Sequence, residues 1–174
     1  MAWIKGKHYG GREVDKCRDR LNKYCIGSGI DIGCGGIETD SLSGYRQNKI
    51  NELAIGIDLS QTQLCGSADN LFWFKDEVLD YVFSSHLVEH MPDINKTITE
   101  WFRVLKPGGY LVLYLPLMGY YPNVGDPECN RDHKHNLTPS LLLKSIRELA
   151  EVVYIQERIE GEEYSFDFVV RKSS

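Results

Sequence analysis

The chain has 174 residues, 42% of them hydrophobic, which is enough to fill the core of one domain of ordinary size. Its 20 Lys and Arg residues against 25 Asp and Glu residues give a net charge of −5, and no basic cluster is visible, which argues against a nucleic-acid partner. No apolar run approaches the roughly 18 residues of a membrane span and residues 1–5 do not resemble a signal peptide, so we expect a soluble, cytoplasmic protein.

Helices and strands are predicted to alternate along the chain. Glu13–Tyr24 carries Val14, Cys17 and Leu21 on one stripe, which predicts a polar helix that covers an edge of the sheet. Strands are expected near Ile26–Ile32, Ala54–Asp58, Leu79–Ser84, Tyr110–Leu115, Val152–Ile159 and Tyr164–Arg171, with a short extra strand at Cys65–Ser67. Further helices are expected near Leu87–His90, Asp93–Leu105 and Pro139–Ala150, the last capped by Thr138.

This alternation is typical of an α/β fold with a mostly parallel sheet, and the last two strands should form an antiparallel hairpin around Glu160-Gly161-Glu162. Two connections depart from the usual pattern. Residues 37–53 are rich in Ser, Gly, Asn and Thr, so the first crossover helix should be short or irregular. Only nine residues lie between Asp58 and Ala68, which is too few for a full second crossover helix. The sequence therefore predicts trimmed crossovers.

An apolar strand that ends in glycines stands at residues 29–36, with the sequence G-I-D-I-G-C-G-G. The glycines allow a tight turn and the close approach of a ligand. The run lacks the third glycine of the dinucleotide fingerprint G-x-G-x-x-G, and Asp31 before the turn would repel a pyrophosphate but suit a cationic ligand such as an aminoacyl sulfonium. A second strand ends in Asp58, whose carboxylate can accept hydrogen bonds from both hydroxyls of a ribose. These features predict a nucleoside-binding edge of a parallel sheet.

Four motifs in register resemble those of the class I S-adenosylmethionine-dependent methyltransferases, in particular the small type 11 family. They are the glycine run, Ala68-Asp69, D-Y-V-F-S-S-H-L-V-E-H at Asp80–His90 and L-K-P-G-G-Y-L-V-L-Y-L-P at Leu105–Pro116. The resemblance covers residues 27–171. It implies a three-layer, Rossmann-like fold with a seven-stranded sheet and an enzyme that uses S-adenosyl-L-methionine. It also implies a single methyltransferase domain over residues 1–174, with residues 1–25 as a helical N-terminal extension.

The resemblance also assigns cofactor contacts. The glycine turn would lie under the methionine moiety, the acid after the second strand would bind the ribose, and the acid after the third strand would contact the adenine amino group. The predicted cofactor-binding residues are Asp31, Gly33, Cys34, Gly35, Asp58, Leu59, Ala68, Asp69, Leu71, Ser84 and Ser85. Leu71 begins the apolar run Leu71–Phe74, which either seals the sheet edge or contacts a second copy of the chain in a homodimer.

Four of the five histidines lie in two short motifs, H-L-V-E-H at residues 86–90 and D-H-K-H at residues 132–135. H-x-x-E-H is also a zinc-protease motif, but we reject that interpretation because the motif directly follows a strand of a nucleotide-binding sheet. Some methyltransferases that act on the 3′ ends of small RNAs and on quinone precursors look similar here, but have E-x-x-E-H and hold a divalent ion.

With a histidine at the first position, the equivalent site would be rich in nitrogen and suited to zinc, manganese or iron. Its ligands would be His86, Glu89 and His90 with His133 or His135. The alternative, which we adopt as the prediction, is that no metal is bound and that Glu89 and His90 form hydrogen bonds with neighbouring backbone, as in metal-free relatives.

Methyl transfer to a hydroxyl or an amine also needs a group that removes the acceptor proton, and histidine titrates in the useful range. The candidate catalytic residues are His86, His133 and His135. Residues 116–137 exceed an ordinary connection in length and form the predicted acceptor-binding lid. In it, Tyr120, Tyr121 and Asn123 suit sugars or small aromatic molecules, and Arg131 suits an acidic acceptor group.

Two functions remain open at this point. The first is a methyltransferase that modifies O or N of a small-molecule or glycan acceptor; the lid pattern resembles methyltransferases of bacterial glycan and lipopolysaccharide pathways. The second is a non-catalytic module of the same fold that supports a partner enzyme. The carboxylates of Asp31, Asp58 and Asp69 favour the first, because a module that binds no cofactor has no physical need for all three beside glycines. The trimmed crossovers keep the second open.

Overall fold

The computed structural model describes residues 13–35, 38–40, 44–46, 49–60, 62–146, 148–157 and 163–174. The α-helices in these ranges are α1 (Glu13–Leu21), α2 (Ile94–Val104) and α3 (Pro139–Ile146), and short 3-10 helices span Asn22–Tyr24 and Val88–His90. The strands are β1 (Gly29–Ile32), β2 (Glu38–Asp40), β3 (Gly44–Arg46), β4 (Ile55–Asp58), β5 (Leu64–Cys65), β6 (Leu79–Ser85), β7 (Leu105–Pro116), β8 (Ala150–Gln156) and β9 (Ser165–Lys172).

Seven of these strands form one sheet in the order β5-β4-β1-β6-β7-β9-β8. The first five strands of this order are parallel to one another, and β9 runs antiparallel to both β7 and β8. This confirms the predicted Rossmann-like α/β fold with antiparallel C-terminal strands. The chain leaves β1 toward β4 and β5 and later returns on the other side to β6 and β7. The carboxyl ends of β1, β4 and β6 therefore meet at the point where the strand order reverses, which is where open α/β sheets bind ligands.

Apolar side chains cover both faces of the sheet. On one face, Ile30 and Ile32 of β1 pack in the same buried cluster as Trp101 and Phe102 of α2. On the other face, Val14 and Leu21 of α1 pack with buried side chains of β6 and β7. The predicted stripe Val14, Cys17 and Leu21 is thus buried, as expected of an amphipathic helix on a sheet.

Local sequence explains where the helices begin. Asp93 caps α2, because its side chain accepts a hydrogen bond from the Lys96 backbone N–H at 3.0 Å. Thr138 caps α3 in the same way through Leu141, as predicted. Among the described helices, none is long and apolar enough to cross a membrane.

Some predicted boundaries and elements were wrong. α3 ends at Ile146, and Ala150, predicted to be helical, is the first residue of β8. The first crossover was predicted as a short or irregular helix, yet β2 and β3 form an antiparallel pair in the described part of that segment. Local propensity is weak in this polar stretch, so strand pairing decides its structure. The predicted turn at residues 160–162 lies outside the described residues.

Candidate active site

The glycine turn follows β1 at the switch point of the sheet. Gly33 and Gly35 have φ angles of +77° and +73°, a left-handed conformation that side-chain-bearing residues rarely adopt. A Cβ on Gly33 would also lie 3.0 Å from Leu87. Cys34 between them is buried, and its Sγ lies 3.5 Å from the Thr62 hydroxyl. The two glycines are therefore required by backbone conformation and by the close approach of the segment after β6.

Asp58, the last residue of β4, is held against this turn. One carboxylate oxygen accepts a hydrogen bond from the Gly35 N–H at 2.9 Å and the other from the Leu59 N–H at 2.7 Å. Each carboxylate oxygen has two lone pairs, so both oxygens keep capacity for a further donor. Leu59 itself is 78% exposed beside this carboxylate. The turn and Asp58 form one cradle that presents acceptors to a ligand with neighbouring hydroxyls.

Asp31 lies under the turn instead of in the open cradle. Its side chain is 1% exposed, and its carboxylate accepts a hydrogen bond of 2.6 Å from the Ile50 N–H. Burial raises the pKa of this carboxyl well above its ordinary value, and the nearby Lys49 and Arg18 only partly oppose that effect. Asp31 thus ties the segment that enters β4 to β1.

The segment after β5 borders the same edge. Asp69 forms an ion pair of 2.7 Å with Lys96, and together with a hydrogen bond from Ser67 this lowers the pKa of its carboxyl. The Ala68 carbonyl accepts a hydrogen bond of 2.8 Å from the buried Trp101 indole N–H. Leu71 is buried in the core, while Phe72 is 68% exposed and contacts Trp73. The indole of α2 therefore sets the position of the Ala68-Asp69 backbone.

The carboxyl end of β6 leads into the histidine motif. The Ser84 hydroxyl donates to the Ile32 carbonyl at 2.8 Å, which links β6 to β1. The Ser85 hydroxyl is buried and has no hydrogen-bond partner among the described residues. His86 follows with a φ angle of +51°, a strained conformation for a residue with a side chain, and its backbone N–H donates to the Tyr114 carbonyl.

The imidazole of His86 contacts two elements that are distant from it in sequence, α1 and β9. Its Nε2 lies 2.8 Å from the Ser165 hydroxyl of β9 and 3.4 Å from the Glu13 carboxylate of α1. Burial lowers the pKa of His86 to about 4, against the opposing pull of Glu13. The ring is therefore neutral near pH 7.

Glu89 is the centre of a cluster that we call the Glu89 cluster: Glu89, His86, His90 and His133. Its side chain is fully buried, and neither carboxylate oxygen has a hydrogen-bond partner among the residues described. Its Oε1 lies 3.6 Å from Nδ1 of His86, 3.9 Å from Nε2 of His90 and 3.8 Å from Nε2 of His133. Burial raises the pKa of Glu89 to about 8.

The second histidine motif reaches this cluster through its backbone. The N–H groups of Lys134 and His135 donate to the Glu89 carbonyl at 2.8 and 3.2 Å, and the Lys134 ammonium donates to the His90 carbonyl. His133 is thereby brought to Glu89, and its ring lies at right angles to that of His90. His135 instead places its Nε2 2.8 Å from the Met91 carbonyl, so the structure does not bring it into the cluster.

The predicted lid, residues 116–137, is described throughout. Tyr121 stacks on His133 with ring centroids 5.0 Å apart and also contacts Tyr164. Asn123 accepts from the Gly119 N–H and donates its own N–H to Asp126, while Arg131 is exposed. Among the side chains predicted to bind the acceptor, Tyr121 therefore contacts the Glu89 cluster.

Sequence reasoning missed three residues beside His86: Glu13, Tyr164 and Ser165. The Tyr164 hydroxyl donates to Glu13 at 2.7 Å, and Ser165 is buried beside the imidazole. A signal existed for Glu13, because it stands one helical turn before Cys17 on the buried stripe of α1. No local signal could place Tyr164 and Ser165, since β9 reaches the site only through sheet pairing.

Comparisons with known proteins find methyltransferases. Residues 30–113 match the family model of a methyltransferase domain. Phosphoethanolamine N-methyltransferase 2 of Caenorhabditis elegans is 24% identical over 143 residues, 71% of this chain and 30% of that protein. Sterol 24-C-methyltransferase erg6 of Schizosaccharomyces pombe is 29% identical over 100 residues, 49% of this chain and 26% of that protein. The chain thus spans less than a third of the length of these two relatives.

A solved structure of an S-adenosylmethionine-dependent methyltransferase from Methanosarcina mazei shares the fold. Its TM-score is 0.58 at 21% identity, with 87% of this chain and 96% of that chain covered. The cradle of Gly33, Gly35 and Asp58 fits S-adenosylmethionine, because it combines a close-approach turn with a carboxylate that has spare acceptor capacity for ribose hydroxyls. Over residues 30–113 the chain is similar to a methyltransferase family, and it shares the fold of S-adenosylmethionine-dependent methyltransferases.

Proposed function

We propose that this chain transfers the methyl group of S-adenosylmethionine to O or N of a small-molecule or glycan acceptor. The observation that carries the proposal is the junction of the cofactor cradle with a neutral imidazole. Leu87 packs on Gly33, and its neighbour His86 presents a ring whose pKa is held at about 4. A methyl donor bound at the turn and a proton acceptor would then share one edge of the sheet.

For methyl transfer, the protein has to align the acceptor with the methyl group and to remove the acceptor proton. The bound cofactor supplies an electrophilic methyl group on a sulfonium. The side chains of this chain must hold the acceptor in line with that methyl and take up the proton that a hydroxyl or an ammonium loses. His86 is largely buried and its pKa is lowered to about 4, so its ring is neutral near pH 7 and can accept a proton as a weak base.

The acceptor class rests on the lid. Tyr121 stacks on His133, and Tyr120 is half exposed in the same loop, so the segment offers aromatic faces near the imidazoles. Aromatic faces with adjacent amide groups bind sugars and small ring compounds. The two relatives are a phosphoethanolamine N-methyltransferase and a sterol 24-C-methyltransferase, so proteins similar to this chain methylate acceptors of different chemistry.

The first test is a calorimetric titration of S-adenosylhomocysteine into the purified chain. We expect one equivalent to bind, and Asp58→Ala to weaken the affinity by about 30-fold or more, because charged hydrogen bonds to a ligand are worth roughly 1.5–3 kcal/mol each. Asp19→Ala is the matched control, since Asp19 is an exposed carboxylate on α1. It should leave the affinity unchanged.

The outcomes of the titration test the transferase proposal and the ribose assignment of Asp58 separately. If the wild-type chain does not bind the ligand, the transferase proposal fails and a non-catalytic module of this fold replaces it. If Asp58→Ala binds as tightly as wild type, the ribose assignment is wrong. A screen of hydroxyl and amine acceptors, monosaccharides included, would then test the acceptor class through release of S-adenosylhomocysteine, with His86→Ala used to test the base.

A further inference from the structure

We propose that Glu89, His90 and His133 bind a divalent first-row transition-metal ion, with zinc the best fit to the ligand set. The proposal goes beyond methyl transfer, because the ion would be held by the chain whether or not a methyl group is transferred. It rests on an unpaired buried carboxylate, on the spacing of the nitrogens around it and on the groups that orient those nitrogens.

The unpaired carboxylate is the primary observation. Glu89 is 0% exposed, and within the described part of the chain neither of its oxygens has a hydrogen-bond partner. Buried polar groups in folded proteins are nearly always paired, and a buried carboxyl without a partner costs stability. One proton on Glu89 could serve only one of the imidazoles, whose nearest nitrogen is 3.6 Å away. A cation between the groups would serve the carboxylate and the imidazoles together.

The spacing of the candidate ligand atoms of Glu89, His90 and His133 is suited to one metal ion. Ligands about 2.1 Å from a tetrahedral zinc ion stand roughly 3.4 Å from one another. Oε1 of Glu89 lies 3.9 Å from Nε2 of His90 and 3.8 Å from Nε2 of His133. The candidate ligand atoms of the three residues all lie within 4.8 Å of one another. Shifts of about an ångström or less in each ligand atom, within reach of a rotation of the imidazoles, would therefore close the set around one ion.

The surrounding groups orient these ligands as metal sites require. The ring of His90 has a hydrogen bond with the backbone of Asp132, and the ring of His133 is stacked on Tyr121. Hydrogen bonds from the 134 and 135 N–H groups to the Glu89 carbonyl fix the two motifs to each other. Such outer contacts hold a metal-ligating imidazole in one orientation.

The ligand types favour zinc over magnesium. Two imidazoles and one glutamate form a set found in zinc enzymes that keep a fourth position open. Magnesium prefers oxygen ligands and near-octahedral geometry. His86 faces the same carboxylate oxygen with its Nδ1 at 3.6 Å, so it adds a third imidazole nitrogen to the surroundings. In the described part of the chain, Glu89, His90 and His133 form the one cluster of metal-ligating side chains with this spacing.

The test is metal binding to chelator-treated, tag-free protein. Zinc is titrated by calorimetry, cobalt is titrated by visible absorption, and magnesium serves as the comparison ion. We expect one equivalent of zinc, a cobalt spectrum of tetrahedral intensity and no magnesium binding at the same concentration. Glu89→Gln and His133→Gln should each weaken zinc binding by about 100-fold or more, since even outer contacts of a metal site are worth about 10–100-fold.

His135→Gln is the matched control, because His135 lies in the same loop but bonds the Met91 carbonyl. It should bind zinc as wild type does. Circular dichroism checks each variant, and His133→Gln keeps the test valid if Glu89→Gln does not fold. The proposal is wrong if wild type binds no zinc, or if His133→Gln and His135→Gln bind it equally well. S-adenosylhomocysteine binding, measured on the same samples, separates failure of the metal site from failure of the transferase proposal.

Discussion

The glycine turn with Asp31, Asp58 and Asp69, which we call the glycine edge, lies next to the Glu89 cluster. The carboxylates of the two regions differ in whether they have hydrogen-bond partners. Asp31, Asp58 and Asp69 each have a hydrogen bond or an ion pair at 2.6–2.9 Å within the chain. Glu89 is surrounded by three imidazoles at 3.6–3.9 Å and bonds none of them. The first region is organised before a ligand arrives, whereas the second retains polar capacity that only a bound ion or substrate would use.

The two regions also differ in how they are assembled. The glycine edge consists of residues in or after β1, β4 and β5, which are neighbours in the sheet. The Glu89 cluster collects its surroundings from β6, the lid, α1 and β9, with Glu13 and Ser165 standing far apart in sequence. We therefore expect the cluster to depend more strongly on long-range contacts than the glycine edge does.

The largest effect should come from the ion pairs that dock α1. Arg20 lies 3.0 Å from Glu163 and 2.8 Å from Asp167, whose side chains are 7% and 1% exposed. Arg20→Met would remove the cation from two buried carboxylates and leave Glu163 with the Tyr114 hydroxyl, so we expect a loss of about 2–4 kcal/mol in the free energy of unfolding. Chemical denaturation measures it. Lys23→Met, which changes an exposed cation, should cost less than about 1 kcal/mol; equal losses would refute the role of the ion pairs.

A medium effect should come from Asp31, through the pH dependence of the free energy of unfolding. The folded-state pKa of Asp31 is raised, so the folded chain binds more protons than the unfolded chain above the ordinary carboxyl range. The free energy of unfolding should therefore fall as pH rises from about 4 toward the folded pKa, with a limiting slope of about 1.4 kcal/mol per pH unit. Asp31→Asn removes this contribution to the slope, leaves that of Glu89, whose pKa is also raised, and keeps an acceptor for the Ile50 N–H. If wild type and Asp31→Asn show parallel pH profiles, the buried carboxyl does not titrate as described.

The smallest effect should mark the boundary of the Glu89 cluster. His135→Gln preserves a side-chain donor for the Met91 carbonyl and keeps the backbone N–H that bonds the Glu89 carbonyl, so the free energy of unfolding should change by less than about 0.5 kcal/mol. Once an acceptor is known, turnover should stay within about twofold of wild type. A fall of about 100-fold, the usual cost of losing a general base, would place His135 in the chemistry after all.

The fold could be predicted from sequence because its signals are local. Apolar strands ending in Asp31-Ile32-Gly33 and in Ile57-Asp58 predict β1 and β4, and the Asp93 and Thr138 caps mark the helix starts. The segment with β2 and β3 could not be predicted, because a polar stretch without periodicity leaves the structure to strand pairing. The Ala150 boundary failed for the same reason: β8 is formed by its pairing with β9.

By itself the sequence determined the glycine turn, the carboxylate after β4 and the presence of two histidine motifs, since each depends on residue type and short spacing. Only the tertiary structure decided that His133 and not His135 faces Glu89, that α1 carries Glu13 to His86, and that the Glu89 carboxylate is left unpaired. The physical reason is that burial and hydrogen bonding of a side chain depend on every element packed around it, which no local pattern encodes.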